Sequence, residues 1–400
     1  MNNFDVIIAG AGPAGSTAAL LLSQKGIKTV VIDKAKLPRY KTCGGGVVGR
    51  TSQFLPVDYS AVAERSCYNA EIIDIRNNFH FFVEKSRPVI IMTLRKDFDG
   101  FLLSLAKQNG AAVLDNCELF EVYKRKDCVE IETSKGILRA GFLIAADGSS
   151  GTVSKKSNWN NYAVSAPAVE YEVYVKDNEF SRFNKSARFD FGIFPEGYSW
   201  VFPKKDHLSI GSAFLAKSSL NLNKVTSEYL KLLGINEPVK IERHGFFVRI
   251  NPGIKKFVKN RIFFTGDSAG FADPLTGEGI SYAILSGKLA ASAIIESGLN
   301  SELAEYFYTR GVKEKILKEL RYAKILWKIV YGFPKVRIEL FRLYGQKLSE
   351  AVTSVMSGDK SYSEFFLNMN SYMKLLHMPF NKKPQTSRQQ KQSKRFELTE

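Results

Sequence analysis

The stretch FDVIIAGAGPAGSTAALLLSQKG, residues 4–26, decides the architecture of this chain. Residues 4–9 are a short apolar, β-branched run, Gly10-Ala11-Gly12-Pro13-Ala14-Gly15 follows at once, and a helical run then ends at Gly26. Strand, glycine turn and helix in that order make a phosphate cradle in which each glycine has a separate task. Gly10 permits the tight turn, Gly12 lets backbone approach a pyrophosphate, and Gly15 lets the helix sit close to the strand, while the helix N-terminus attracts the phosphate itself. Pro13 and Ala14 lie in the same turn and count with it. A second strand, residues 28–32, closes on Asp33, placed to accept a hydrogen bond from an adenosine ribose, with Lys34 beside it. A glycine-rich turn alone carries little information. The strand before it, the helix after it and the acid ending the next strand turn it into a dinucleotide site on a Rossmann-like α/β domain.

Two more apolar strands end on acid and glycine. Residues 142–148 (FLIAADG) end in Asp147-Gly148, and residues 261–267 (RIFFTGD) end in Gly266-Asp267, so strand ends collect at one edge. Asp273-Pro274-Leu275-Thr276-Gly277-Glu278-Gly279 then opens a helix at Ile280, whose free N–H groups can face the pyrimidine edge of a flavin and stabilise negative charge there. The fingerprint itself does not separate FAD from NAD(P), because both present the same adenosine diphosphate geometry. No second fingerprint follows, so a resident nicotinamide has no domain of its own. Taken as residues alone, Asp147 and Asp267 also read as turn residues after strands.

At 400 residues the prior is two to three domains, at roughly 150 residues each. Hydrophobic residues at 44% and charged residues at 24% exclude collagenous, low-complexity and wholly disordered classes. Lys and Arg total 57 against 40 Asp and Glu, a net charge of +17 that points toward an anionic surface or partner. The last hundred residues carry nearly twice as many basic as acidic side chains. Cys43, Cys67, Cys117 and Cys128 form no CxxC pair and no metal-like spacing, so free thiols in a reducing compartment are expected and a metal site is not. His80, His207, His244 and His377 are scattered and read as surface or core. The first residues lack a basic, cleavable leader, and no apolar run reaches the roughly 18 residues of a membrane span. The expectation is a cytoplasmic protein, with membrane association left open.

In order along the chain, GAGPAG with Asp33, RKDFDGFLL from Arg95, AADGSSG and FFTGDSAGFADPLTGEGI resemble the FAD-contact motifs of the glutathione-reductase-like flavoproteins that include the aromatic hydroxylases. Two rarer stretches, Lys41-Thr42-Cys43-Gly44-Gly45-Gly46 and residues 195–204 (PEGYSWVFPK), resemble those of the geranylgeranyl reductase family within that superfamily. The resemblance covers about residues 4–300. The last hundred match loosely, through helical composition and SGDKSY at 357–362. It implies tightly bound FAD, reduced by visiting NAD(P)H or by a ferredoxin-like donor, for which a basic surface is suited. It implies further that Gly10, Gly12, Gly15 and Asp33 hold the adenosine diphosphate half and that Arg95 helps hold the cofactor. Asp147, Gly148, Gly266 and Asp267 would frame the pyrophosphate and ribityl chain. Gly277, Gly279 and Ile280 would flank the flavin ring, with Cys43, Gly44, Gly45 and Gly46 on the opposite side.

Residues 187–194, 197–203 and 208–214 read as consecutive antiparallel strands around the polar turn Lys204-Lys205-Asp206-His207. Tyr198, Trp200 and Phe202 share one face. Composition makes that face core; the resemblance makes it the wall of a substrate cavity above the flavin. The expected layout is a discontinuous FAD-binding domain (1–60, 95–155, 255–300) and an antiparallel-sheet substrate domain (61–94, 156–254). A helical region (301–380) and a disordered basic tail (381–400) complete it. Tyr322, Ile325, Leu326, Ile329, Val330 and Phe333 form the expected apolar stripe of a helix that stops before Pro334. That basic, aromatic-rich stretch either docks on anionic lipid or packs on the FAD domain with a solvated basic face. No interleaved nucleic-acid recognition motif accompanies the charge.

The activity implied by the resemblance is hydride transfer from reduced flavin to carbon–carbon double bonds of a polyprenyl, geranylgeranyl-type lipid, pigment or quinone. An isolated alkene has no carbonyl to accept charge, so a proton must reach its second carbon inside a dry pocket. Tyr198 and Trp200 are the expected catalytic and substrate-stacking faces, with Phe202. Cys43 is the expected proton donor, its thiolate favoured by nearby Lys41 and Arg39; the alternative is that it only packs in a tight glycine loop. Two other activities share the cofactor motifs: a flavin monooxygenase or halogenase, and an electron-transfer flavoprotein feeding a membrane quinone.

Overall fold

The computed structural model describes residues 3–55, 57–159, 164–215, 220–250 and 256–367. The expected tail at 381–400 and the last part of the expected helical region lie outside the described residues, as does His377.

Strand Asn3–Ala9 sits at the centre of an eight-stranded sheet, paired in parallel with Thr29–Ile32 on one side and Gly136–Ala145 on the other. Ala112–Leu114 and Ile262–Phe264 extend the parallel set outward. These strands are near-continuous apolar runs: Val6, Ile7, Ile8, Val30, Val31, Leu143 and Ile144 are fully buried, as strands covered on both faces require. Leu119–Lys124 and Val129–Thr133 add an antiparallel meander to Gly136–Ala145. Helix Pro13–Ser23 packs against both Arg95–Gln108 and Ile280–Glu296. Its closest approach is made by a glycine that the sequence reading did not single out: a Cβ on Gly287 would stand 2.2 Å from the Ala14 carbonyl oxygen.

The second sheet has seven strands, in the order Lys240–Ile250, Val164–Tyr174, Leu208–Phe214, Gly197–Pro203, Ser186–Phe191, Asn69–Asp74, Phe79–Glu84. The three expected consecutive strands pair antiparallel as the alternation indicates. Ser186–Phe191 then pairs in parallel with Asn69–Asp74, a non-local contact that no local pattern announces. The stretch 61–94 is shared between two sheets. Its ends, Ala63–Cys67 and Ile90–Thr93, form a small sheet with Gly46–Val48, which draws the glycine loop preceding Gly46 out of the FAD domain and onto the substrate sheet.

Helices Ser301–Val312, Lys318–Gly332, Pro334–Ser357 and Tyr362–Leu367 complete the described chain. The break at Phe333 (φ −131°, ψ 74°) is the extended conformation that a following proline imposes, and Pro334 then opens the next helix at its first turn. The expected apolar stripe needs correction. Leu320, Ala323 and Tyr331 are the buried positions, whereas Ile325 and Phe333 are 43% and 59% exposed. Tyr322, Leu326 and Val330 pack against the core of the second sheet, and Leu326, Ile329 and Val330 also line a cavity, so the stripe holds in part.

Gly287→Ala is expected to cost about 1–3 kcal/mol, because the clash is with backbone that cannot rotate away. Thermal unfolding reads this as a lowered midpoint, with Gly245→Ala, where nothing stands within 4 Å, as the neutral control.

Candidate active site

A cleft of about 470 Å³ opens at the carboxyl ends of the parallel strands, where a doubly wound sheet binds its ligand. Gly10, Gly12, Pro13, Ala14, Asp33, Lys34, Cys43 and Arg95 line it, with Asp147, Gly148, Gly266, Asp267, Gly277, Gly279 and Ile280. Gly15, Gly44 and Gly45 do not. Gly15 is packed beneath the turn, where a Cβ would fall 2.0 Å from the Gly10 carbonyl oxygen; the other two belong to the substrate side.

The cleft fits FAD. Gly10 holds φ +107°, and a Cβ there would strike Ala146, while the space above Gly12 holds only the Arg39 guanidinium, 3.7 Å from a Cβ on Gly12. Asp33 is oriented by the N–H groups of Ala11 and Ala35, both at 3.0 Å, and faces Arg39 at 3.4 Å. Asp147 accepts the Val153 N–H at 2.8 Å through Oδ2, while its buried Oδ1 has no partner. Burial pushes that carboxyl up to about 6. Asp267 is likewise raised by burial, against the opposing charges of Lys41 and Arg95. An unsatisfied buried acceptor inside a glycine-walled cleft matches the hydroxyl-rich middle of a dinucleotide.

Arg95 is tied to Asp99 by two bonds of 2.9 and 2.8 Å and lines the cleft together with Cys43.

The two rare sequence stretches meet face to face. A Cβ on Gly44 would lie 3.1 Å from the Phe202 ring and 3.2 Å from Trp200 Nε1, and a Cβ on Gly45 (φ +63°) would lie 2.1 Å from the Thr93 carbonyl oxygen. Fully buried Lys204 donates from Nζ to the carbonyls of Gly44 (2.6 Å) and Thr93 (3.0 Å). Burial lowers its pKa, and Glu170 and Glu172 oppose that shift. The Cys43 N–H donates to Glu170 Oε2 at 2.8 Å, and Ser209 Oγ donates to Glu170 Oε1 at 2.8 Å. Next along the strand, Glu172 pairs with His207 Nε2 at 3.0 Å, whose Nδ1 meets Asp206 at 2.7 Å.

None of Glu170, Glu172, Lys204 and His207 received a functional role from the sequence. Two carboxylates at alternate positions of the otherwise apolar strand Val164–Tyr174 were the available signal. Burial, and then Glu172, push the Glu170 carboxyl up to about 7. Burial works against His207 protonation, but Glu172 and Asp206 hold its pKa above the ordinary value.

Tyr198, Trp200 and Phe202 are both buried and cavity-lining. With Cys43, Gly44, Gly45 and Gly46 they surround a space of about 90 Å³ that shares Gly277, Gly279 and Ile280 with the FAD cleft. On its other side it shares Phe189, Tyr198, Thr276 and Met356 with an apolar cavity of about 370 Å³, walled by the C-terminal helices. The Tyr198 hydroxyl donates to the Thr276 carbonyl at 2.5 Å, fixing the ring between the two spaces.

Cleft, glycine turn and sheet edge together define an FAD-dependent oxidoreductase. Residues 3–196 match a family model described as an FAD binding domain. An uncharacterised protein of Methanosarcina barkeri is 31% identical over 93% of this chain and 95% of its own length. A digeranylgeranylglycerophospholipid reductase of Methanococcus vannielii is 28% identical over 82% of this chain and 87% of its own. Among solved structures, a geranylgeranyl bacteriochlorophyll reductase-like protein of Thermoplasma acidophilum has a TM-score of 0.74 at 21% identity, covering 93% of this chain and 99% of that one. A flavin-dependent brominase has a TM-score of 0.71 at 20% identity, covering 94% and 100%. Those two share the fold. The chain belongs to the geranylgeranyl reductase family of FAD-dependent oxidoreductases.

Glu170 and His207 both titrate above their unfolded values, so each contributes stability that is complete at low pH and lost as pH rises through the folded value. The thermal midpoint is expected to fall between pH 5 and 8, and Glu170→Gln to flatten that fall. Midpoints of both proteins across that range check it; an identical slope in the variant would refute the assignment.

Proposed function

We propose that this chain saturates carbon–carbon double bonds of a polyprenyl, geranylgeranyl-type lipid, pigment or quinone. The observation that carries this reading is the unbroken succession of spaces: FAD cleft, small aromatic chamber, long apolar cavity. A flexible hydrocarbon is the substrate class that such a cavity accommodates. When bound, reduced FAD supplies the hydride. Trp200 and Phe202 face the alkene in the chamber, whose wall Gly44, Gly45 and Gly46 complete, Gly44 and Gly46 packing close to those rings. Their faces also favour the partial positive charge that develops on the second carbon. Cys43 lies in the walls of both the cleft and the chamber, and we assign it the transfer of the proton.

The reductant is NAD(P)H or a ferredoxin-like carrier, which visits rather than resides. Exposed Ile325, Phe333, Val336 and Leu343 border the cavity-lining helices together with Lys328 and Lys335, an arrangement that supports peripheral contact with an anionic membrane. Among the described residues no helix is long and apolar enough to cross a membrane.

Two experiments test the reading. Anaerobic enzyme reduced with dithionite should reoxidise on addition of geranylgeranyl lipids, with mass spectrometry finding two added hydrogens per step. Oxygen insertion only after admission of air would establish a monooxygenase or halogenase instead; flavin oxidation by a quinone that leaves its prenyl chain unchanged would establish an electron carrier. Cys43→Ala should keep the FAD absorbance and slow single-turnover reoxidation about 100-fold. An unchanged rate would reduce Cys43 to loop packing.

A further inference from the structure

The apolar cavity has one buried charge in its wall. Arg337 is 3% exposed and lines the cavity at its far end. The cavity-lining stripe of helix Pro334–Ser357 runs from Arg337 to Met356, and Met356 also lines the chamber beside the glycine loop. At 1.5 Å per residue those two positions are about 28 Å apart. The guanidinium itself reaches inward: it lies 5.9 Å from the Phe191 ring, which is 6.0 Å from the Tyr198 ring between cavity and chamber.

Its donors are only partly used. Nη1 reaches the carbonyls of Val330 (3.2 Å) and Pro195 (3.5 Å), and Nη2 lies 4.0 Å from Asp74 Oδ2. Nε has no partner, and Asp74 Oδ2 accepts no hydrogen bond. Asp74 is fully buried, its other oxygen taken by Asn77. The Phe191 ring lies 5.9 Å from the guanidinium. A buried donor left open in an apolar wall is costly unless a ligand completes it. The charge is already matched by Asp74, so a second anion there would meet a carboxylate in a medium that screens poorly. What the site lacks is one uncharged acceptor.

From this geometry we infer that Arg337 forms a subsite for a neutral oxygen, the hydroxyl, ether or carbonyl oxygen at the polar end of the chain occupying the cavity. The inference rests on the prenyl reading of that cavity. It orients the substrate: the oxygenated end lies at Arg337, and a double bond farther along the chain reaches the chamber.

The test is equilibrium binding to the full-length, FAD-loaded protein, followed by flavin and tryptophan fluorescence. The probes are geranylgeraniol and the hydrocarbon of the same length that lacks the oxygen. Arg337→Met removes the donors, while Arg337→Lys keeps the charge for Asp74 but has no Nε, and so remains informative if the first variant fails to fold. Both variants should weaken geranylgeraniol about tenfold or more and leave the hydrocarbon within about twofold. Equal losses for both ligands, or none for either, would overturn the subsite while leaving the prenyl cavity standing. Geranylgeranyl diphosphate that outbinds the alcohol by a factor erased in Arg337→Met would overturn the neutral-oxygen assignment. If neither chain binds the unmodified protein, the prenyl reading falls and this inference with it.

Discussion

One buried ammonium holds the glycine loop, the aromatic strand and the small sheet together. Lys204 ends the strand that carries Tyr198, Trp200 and Phe202, and its two bonds reach Gly44 in the glycine loop and Thr93 in the small sheet. Three segments distant in sequence converge on a single nitrogen. A lone buried charge is strongly unfavourable, so the arrangement depends on the carboxylates of Glu170 and Glu172, both on strand Val164–Tyr174 of the same sheet. Glu170 in turn fixes the backbone of Cys43. Loop position, aromatic wall and thiol are thus set by one charge-balanced cluster, which is why the glycines must be glycines: a Cβ on Gly45 would stand 2.5 Å from that nitrogen.

A second cluster ties the flavin-side loop to the C-terminal helices. Arg50 donates to Glu278 at 2.8 Å and lies 3.4 Å from Asp273, while the Tyr362 hydroxyl donates to Asp273 at 2.8 Å. Tyr331 reaches the Leu275 carbonyl at 2.9 Å, and Trp327 the Leu215 carbonyl at 2.5 Å. The loop beside the cofactor is therefore bonded to the helices that wall the apolar cavity. The SGDKSY stretch, which stood apart in the sequence, is the clasp: Gly358 (φ +82°) packs on Arg50 and accepts from Gln53, while Asp359 pairs with Lys85.

Legibility differed by the range of the interaction. The nucleotide cradle is built from contacts between near neighbours, and the residues expected from GAGPAG, Asp33, Asp147, Gly266 and Asp267 line one cleft. The alternation of 197–203 likewise placed Tyr198, Trp200 and Phe202 on a single face. The helical stripe at 322–333 was legible in part: Tyr322, Leu326 and Val330 pack on the core while Ile325 and Phe333 are exposed, because period records where apolar residues lie and not what covers them. Lys204 was quoted within a motif yet had no readable task, because its partners lie 160 and 111 positions away.

The amino-acid order by itself determined the dinucleotide turn and its flanking strand and helix, since turn geometry and strand period are properties of short segments, while the cofactor class and the family came from the resemblance of its motifs. Only the tertiary structure decided that the CGGG loop faces the aromatic strand, that Ser186–Phe191 pairs with Asn69–Asp74, and that a charged arginine closes an apolar cavity. Those outcomes depend on non-local sheet pairing and on the balance of buried charges, and neither leaves a periodic mark along the chain.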